Sequence, residues 1–307
     1  MVHFSAFRGD AVPVLGRWSK ASTLVLLGGG LAALGALLAV LLLAAGDFRS
    51  TIAANQSHAA LLARVLEDQA TRTLESGEMA LDALSASPVL RASAPDAERM
   101  QAALNQALLG LPFLRAIAVV DVHGNVLVST TASESGMRIN MDKLGPRGPA
   151  GRSSMGPLIM GRGLAAIRAT GAAQEVPQGL AFIPLLQSFV SDAGRPLVLV
   201  GLANPDAFSN FQYLTLETES FDSVITTYRG TVLAGSRAGG RLVGSSVGSI
   251  PVFTHFLPAR EHATYIGKGA LGERQILAFR TSGTKPRPSM STNRNFSGST
   301  KYSCSSR

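Results

Sequence analysis

From Ala21 to Gly46 the chain runs for 26 consecutive residues without a charged side chain, including Leu24–Leu27 and Leu37–Leu43. About 20 apolar residues span the hydrocarbon core of a bilayer, so this stretch is long enough to cross with some tilt. Arg8, Arg17 and Lys20 precede it against Asp10 alone, whereas Asp47 and Arg49 balance behind it. Positive flanks stay inside, so the N-terminus is expected in the cytoplasm and the residues after the span outside. A signal peptide ending at Ala44-Ala45-Gly46 competes with this reading. The apolar core of a signal peptide has about 7–15 residues, and this one is longer. The expectation is an uncleaved single-pass anchor in the inner (cytoplasmic) membrane. Gly28, Ala32 and Ala36 add a small-xxx-small row along which two such helices could approach.

Charge and cysteine content narrow the rest. The net charge is +8, but Lys285, Arg287, Arg294, Lys301 and Arg307 all fall in the last 27 residues, where there is no acid. The remaining 280 residues carry only +3, with no basic stripe interleaved with aromatics, which argues against nucleic acid as a partner. One cysteine, Cys304, excludes an internal disulfide framework and any multi-cysteine metal site.

Behind the span, Leu62, Leu66, Ala70, Leu74, Gly77, Leu81 and Leu84 recur every three or four residues, the spacing of one helix face. Glu67, Asp68, Arg72, Glu75 and Glu78 take the other side, so one long amphipathic helix is expected up to Pro88, with one face on the following domain and another free to pair with a second subunit. A shorter helix is expected from Ala97 to Leu108, with Ser93 and Pro95 as start signals.

From Leu114 the texture changes to short apolar runs broken by Gly, Asn and Asp. Ala116–Val120, the turn Asp121–Asn125 and Val126–Ser129 read as a β-hairpin. The pattern returns 106 residues later in Val224–Ala234, with the Gly, Val and Leu in the same register. Two equivalent units imply two similar lobes in tandem. Leu180–Leu186, Leu197–Leu202, Thr264–Ile266 and Gln275–Phe279 are further strand candidates. Asn204 and Pro205 open a helix with Phe208, Phe211 and Leu214 as its apolar stripe.

A single span, a long helix, and the segments FLRAIAVVDVHGNVLVST, FIPLLQ…GRPLVLVGLANPDAFSNF and SVITTYRGTVLAGS together resemble the double-Cache (PDC-like) extracytoplasmic sensor region of bacterial receptors such as sensor diguanylate cyclases, histidine kinases and chemoreceptors. The resemblance covers roughly residues 20–280 in element order. It implies an α+β fold: a transmembrane helix, a long amphipathic helix, then two tandem PAS-like lobes with antiparallel sheets. It also implies a small-molecule ligand in the membrane-distal lobe. The aromatic and acidic residues of the amino-acid-binding version are not recognisable, so the ligand class stays open.

The expected organisation is therefore a cytoplasmic N-terminus (1–20), a transmembrane helix (21–46), a helical stalk (47–112), a distal lobe (113–203), a proximal lobe (204–280) and an unordered polar tail (281–307). In that tail twelve of 27 residues are Ser or Thr, too polar to bury a core. Receptors of this type return through the membrane to an output domain, and no second span follows residue 280. A frameshifted or truncated reading frame accounts for both features, and a genuine polar tail is the alternative. A product with this tail is expected to bind ligand without transmitting through the membrane by itself.

No catalytic set emerges. Gly267-Lys268-Gly269-Ala270-Leu271-Gly272 fits a dinucleotide fingerprint, but a strand follows where a helix is required, so a hairpin loop is expected. Gly244-Ser245-Ser246-Val247-Gly248 fits a nucleophile elbow, yet only Glu261 then His262 follow in the required order, and adjacent side chains do not converge on one serine easily. His255, Glu261 and His262 match no metal-site spacing, so no metal and no cofactor is expected. The best place for a ligand is the Gly-, Pro- and Met-rich segment 139–180. There Arg162 and Arg168 flank Leu164–Ile167 and suit a carboxylate or phosphate, with Phe182 as a wall; Arg147 and Arg152 lie in the same segment. The resulting expectation is a membrane-anchored small-molecule sensor module, homodimeric through its helices and not an enzyme. An anchored periplasmic hydrolase and a non-sensing structural dimer are the alternatives.

Overall fold

A computed structural model describes residues 18–94, 96–169, 179–217, 220–270, 272–282 and 300–306. The chain divides into a unit ending at Ala54 and a second beginning at Asn55. The first unit is helical. Helix α1 is Trp18–Ser85, and its large apolar side chains from Leu24 to Leu43 are all exposed. One stretch of this helix is apolar and long enough to cross a membrane.

In the second unit the later part of α1 buries the stripe that its spacing predicts, from Leu62 and Leu66 through Ala70 to Leu81. Gly77 lies on that stripe because the sheet comes close: a Cβ there would lie 3.0 Å from the Phe113 ring. Glu67 and Glu78 of the charged side are partly buried, and the Glu67 carboxylate lies 3.7 Å from the Arg280 guanidinium. Pro88 opens a short helix α2 (Pro88–Arg91), which Ser87 caps by accepting from the Leu90 N–H. Helix α3 is Ala97–Leu109, and Asp96 rather than Ser93 caps it, accepting from the N–H groups of Glu98 and Arg99. Pro95, the other expected start signal, lies outside the described residues.

The first sheet contains β1 (Leu114–Asp121), β2 (Val126–Ser129), β3 (Ser153–Met155), β4 (Ile159–Met160), β5 (Ala181–Val190) and β6 (Pro196–Ala203). Its order is β2-β1-β6-β5-β3, with β4 also paired to β5. Both faces are covered. Ile117 and Val119 pack with Leu81, Met100 and Leu104 of the helices. Ala116, Ala118 and Val120 pack instead with Ile139, Leu144, Leu164 and Ile167 of the long connection. This two-sided burial is why β1 reads as a continuous apolar run rather than an alternating one.

Helix α4 (Pro205–Thr215) follows, capped by Asn204 with Pro205 in its first turn. Arg115 ties it back to the sheet, donating to the Ala181 carbonyl at 2.8 Å, Asn204 Oδ1 at 2.6 Å and Asp206 Oδ2 at 3.0 Å. The second sheet contains β7 (Phe221–Thr227), β8 (Val232–Gly235), β9 (His262–Lys268), β10 (Arg274–Thr281) and β11 (Thr300–Ser306), in the order β8-β7-β11-β10-β9.

The repeat seen in the sequence is a structural repeat. Ala118, Val119 and Val120 pair with Ser129, Val128 and Val126, with a register shift between Val119 and Val120. At an offset of 106, Val224, Ile225 and Thr226 pair with Gly235, Ala234 and Val232, with the shift between Ile225 and Thr226. Gly124 and Gly230 hold φ of +85° and +86°. A Cβ at Gly124 would run into the Ile139 carbonyl, and one at Gly230 into the backbone of Gly248.

The two sheets also match in their last strand, since β6 lies between β1 and β5 as β11 lies between β7 and β10. Of the segment 281–307 expected to lack order, residues 283–299 and 307 lie outside the described residues. The backbone of Thr300–Ser306 pairs with β7 on one side and β10 on the other. Extended backbone there satisfies two strand edges at once, whatever the polarity of its side chains.

Candidate ligand-binding site

The segment expected to hold ligand covers the outer face of the first sheet. Asn140 caps a 3-10 turn at Met141–Leu144, accepting from the Asp142 N–H. A second such turn, Leu164–Ile167, drops Leu164 and Ile167 onto the sheet beside Phe182. Phe182 is fully buried there. Arg162 and Arg168 stand at the two ends of that turn, both exposed, as are Arg147 and Arg152. The structure thus brings Phe182 together with the apolar residues between the arginines and leaves the guanidinium groups at the surface. Residues 170–178 of the segment lie outside the described residues.

Beneath the same connection is a residue that the sequence did not single out. Glu134 is buried, and Ser129 Oγ donates to its Oε2 at 3.1 Å. Gly163 lies against it closely enough that a Cβ there would run into the carboxylate. An acid in a Ser-rich turn gives no periodic signal, so its burial emerges only once the arginine-bearing connection folds over the sheet.

The motifs set aside in the sequence lie in or beside loops. Gly267 and Lys268 end β9, and Gly269 N–H donates to the Glu273 carbonyl just before β10, while Leu271 lies outside the described residues. Ser246 is exposed in the connection after β8. His255 Nδ1 lies 2.7 Å from Thr254 Oγ1. Among the described residues, no group of three or more His, Cys, Asp or Glu could hold a metal ion.

Charged and phenolic groups show where the surroundings are tight. Burial, with Glu75 beside it, pushes the Glu78 carboxyl up. Burial also lifts the Tyr265 hydroxyl to about 12. In the first hairpin turn, burial raises Asp121 but hydrogen bonds from Asn125 and His123 outweigh it and hold the carboxyl below its ordinary value.

Another space lies where α1, the residues leading into β1, α4 and β7 meet. A cavity of about 230 Å³ is walled by Leu66, Phe113, Phe208, Phe211 and Ile225, with Gln69, Thr73 and Gln212 as its polar side chains. Phe208 is buried on α4 as expected, but Leu214 of the expected stripe is exposed, and Gln212 is buried in its place. The buried face runs Phe208, Gln212, Leu216, each four residues from the last. A glutamine in an apolar stripe breaks the pattern, so sequence reading passes over it.

No family model matches the sequence, and no curated protein matches it. Solved structures do. The extracellular domain of a histidine kinase aligns over 83% of this chain and 95% of its own, with a TM-score of 0.62 at 16% identity. The periplasmic sensory domain of the Campylobacter jejuni chemoreceptor Tlp1 aligns over 83% and 96%, with a TM-score of 0.57 at 9% identity. The ligand-binding domain of the Pseudomonas aeruginosa amino acid chemoreceptor PctC, solved with GABA, aligns over 82% and 99%, with a TM-score of 0.54 at 10% identity. The chain therefore has the fold of the extracytoplasmic sensor domains of histidine kinases and chemoreceptors, the architecture that its sequence resembles.

Proposed function

We propose that this chain is a membrane-anchored extracytoplasmic sensor for a small molecule, with its N-terminus in the cytoplasm and no catalytic role of its own. The observation that carries the reading is the repeated lobe, matched down to the register shift in its hairpin, following the charge-free stretch 21–46 of α1. The sensor domains of the same fold include ones solved with GABA, L-alanine and L-serine. Ligand binds the distal lobe under the connection that carries Arg162 and Arg168, whose guanidinium groups suit a carboxylate at its mouth. Two copies pair along α1, where Leu61, Val65 and Met79 are exposed away from the packed stripe.

The test is thermal melting of the full chain in lipid nanodiscs against a library of small metabolites that includes amino acids and other carboxylates. A ligand at 100 times its Kd stabilises by about 2.7 kcal/mol. At least one compound should raise the melting temperature of the parent and not of Arg162→Ala/Arg168→Ala. A library in which no compound raises it contradicts the sensor reading. A shift that survives in the double variant removes the arginines from the site.

A further inference from the structure

The slot between β7 and β10 is walled for an apolar strand. Successive residues of the two flanking strands face opposite sides of the sheet. On one side Phe221 and Ala278 pack with Leu62 and Leu66 of α1. On the other, Val224 packs with Val232 and Val247, and Phe279 packs with Val252 and Leu257. A strand covered on both faces calls for a near-continuous apolar run. In the first sheet β6 holds the matching slot, between β1 and β5, and meets that demand: it reads PLVLVGLA, and seven of its eight residues are buried. In the second sheet the occupant is Thr300–Ser306, TKYSCSS. Its backbone pairs with Phe221–Thr227 and with Ile276–Thr281, yet five of its seven residues are Ser, Thr or Lys. Backbone and side chains therefore disagree about this strand, a conflict between local sequence and fold that is uncommon in a sheet centre.

We infer that the slot is a strand-acceptor site whose fitting occupant is an extended apolar segment of a partner polypeptide, paired with β7 and β10 in place of Thr300–Ser306. The ladder hydrogen bonds are the same for either strand, so an exchange keeps them and side chains decide it. The chemistry of the partner follows from the slot. It presents seven or more residues in a run antiparallel to both β7 and β10, apolar on both faces and without an internal proline, which would lack a ladder donor. A second copy of this chain is not that partner, because its own matching strand, β6, is buried in its first sheet. The inference is independent of the distal site, since neither the arginines nor a small ligand enters it.

The probe is a peptide with the sequence of Leu197–Ala203, LVLVGLA, flanked by lysines for solubility and labelled with fluorescein. It is titrated into the full chain in nanodiscs and followed by anisotropy. Labelling of Cys304, the only cysteine and part of β11, by a maleimide is followed in parallel. The peptide should bind one saturable site and speed Cys304 labelling roughly tenfold, as β11 is held out of the sheet. The same peptide with proline at its third residue should do neither. Ser303 stands in register with Val224 and Phe279, and Ser305 with Asp222 and Leu277. Ser303→Val/Ser305→Val should therefore hold β11 more firmly, raise the melting temperature and weaken the peptide roughly tenfold. Absence of saturable binding to the parent, whether because β11 stays in place or because β11 of a second copy fills the slot, overturns the proposal. So does binding that leaves Cys304 labelling unchanged, which places the peptide elsewhere, and so does equal affinity for the folded valine variant.

Discussion

Gly124 and Gly136 separate two effects that a glycine combines. Both hold positive φ, +85° and +78°, but a Cβ at Gly124 meets the Ile139 carbonyl, whereas the space around Gly136 is open. Gly124→Ala should destabilise by about 1–3 kcal/mol, and Gly136→Ala by clearly less, read from urea midpoints. Asp121 in the same turn accepts from the N–H groups of His123 and Asn125 at 2.8 Å. Its carboxyl is held low, so its stabilisation is present above the ordinary aspartate value of about 3.9 and is lost as pH falls through the lower folded value. Asp121→Asn should therefore be less stable than the parent at neutral pH, with the difference vanishing in strong acid. Gln212 points the other way. Among the described residues neither its Oε1 nor its Nε2 has a hydrogen-bond partner. Gln212→Leu removes these two buried atoms and should stabilise by roughly 1–3 kcal/mol. A drop in its urea midpoint would mean that the amide has a partner.

Helix α1 shows how one element serves two environments. Leu66 is 2% exposed and Leu61 is 58% exposed, five residues apart on opposite faces. Leu66→Ala should cost about 2–5 kcal/mol. Leu61→Ala should leave stability nearly unchanged and weaken self-association in analytical ultracentrifugation; undiminished association would take this face out of the dimer. The helix was legible because its apolar residues keep a strict three- and four-residue spacing, and the hairpins because each combines an apolar run with a glycine turn. The short strands β3 and β4 were not, since they lie among Gly and Pro and take their shape from pairing with β5. Strand β11 was hidden for another reason: its Ser- and Thr-rich sequence has no strand pattern, and only the two edges of β7 and β10 call for it.

At the scale of the molecule, two lobes with one strand order sit behind a helix fit to cross a membrane. The candidate site was partly legible. Phe182 packs with the residues between the arginines in the core of the first sheet while the arginines stay exposed, and Glu134 and Gln212 are polar residues whose burial depends on distant segments closing over them. The central claim is that the lobes lie outside the cytoplasm, and it is tested most directly by labelling the first hairpin turn. His123 is exposed there, and Cys304 is the only native cysteine. In a Cys304→Ser/His123→Cys chain, a membrane-impermeant maleimide added to spheroplasts should label the turn without lysis. Labelling that occurs only after the membrane is permeabilised would place the lobes in the cytoplasm and contradict the account.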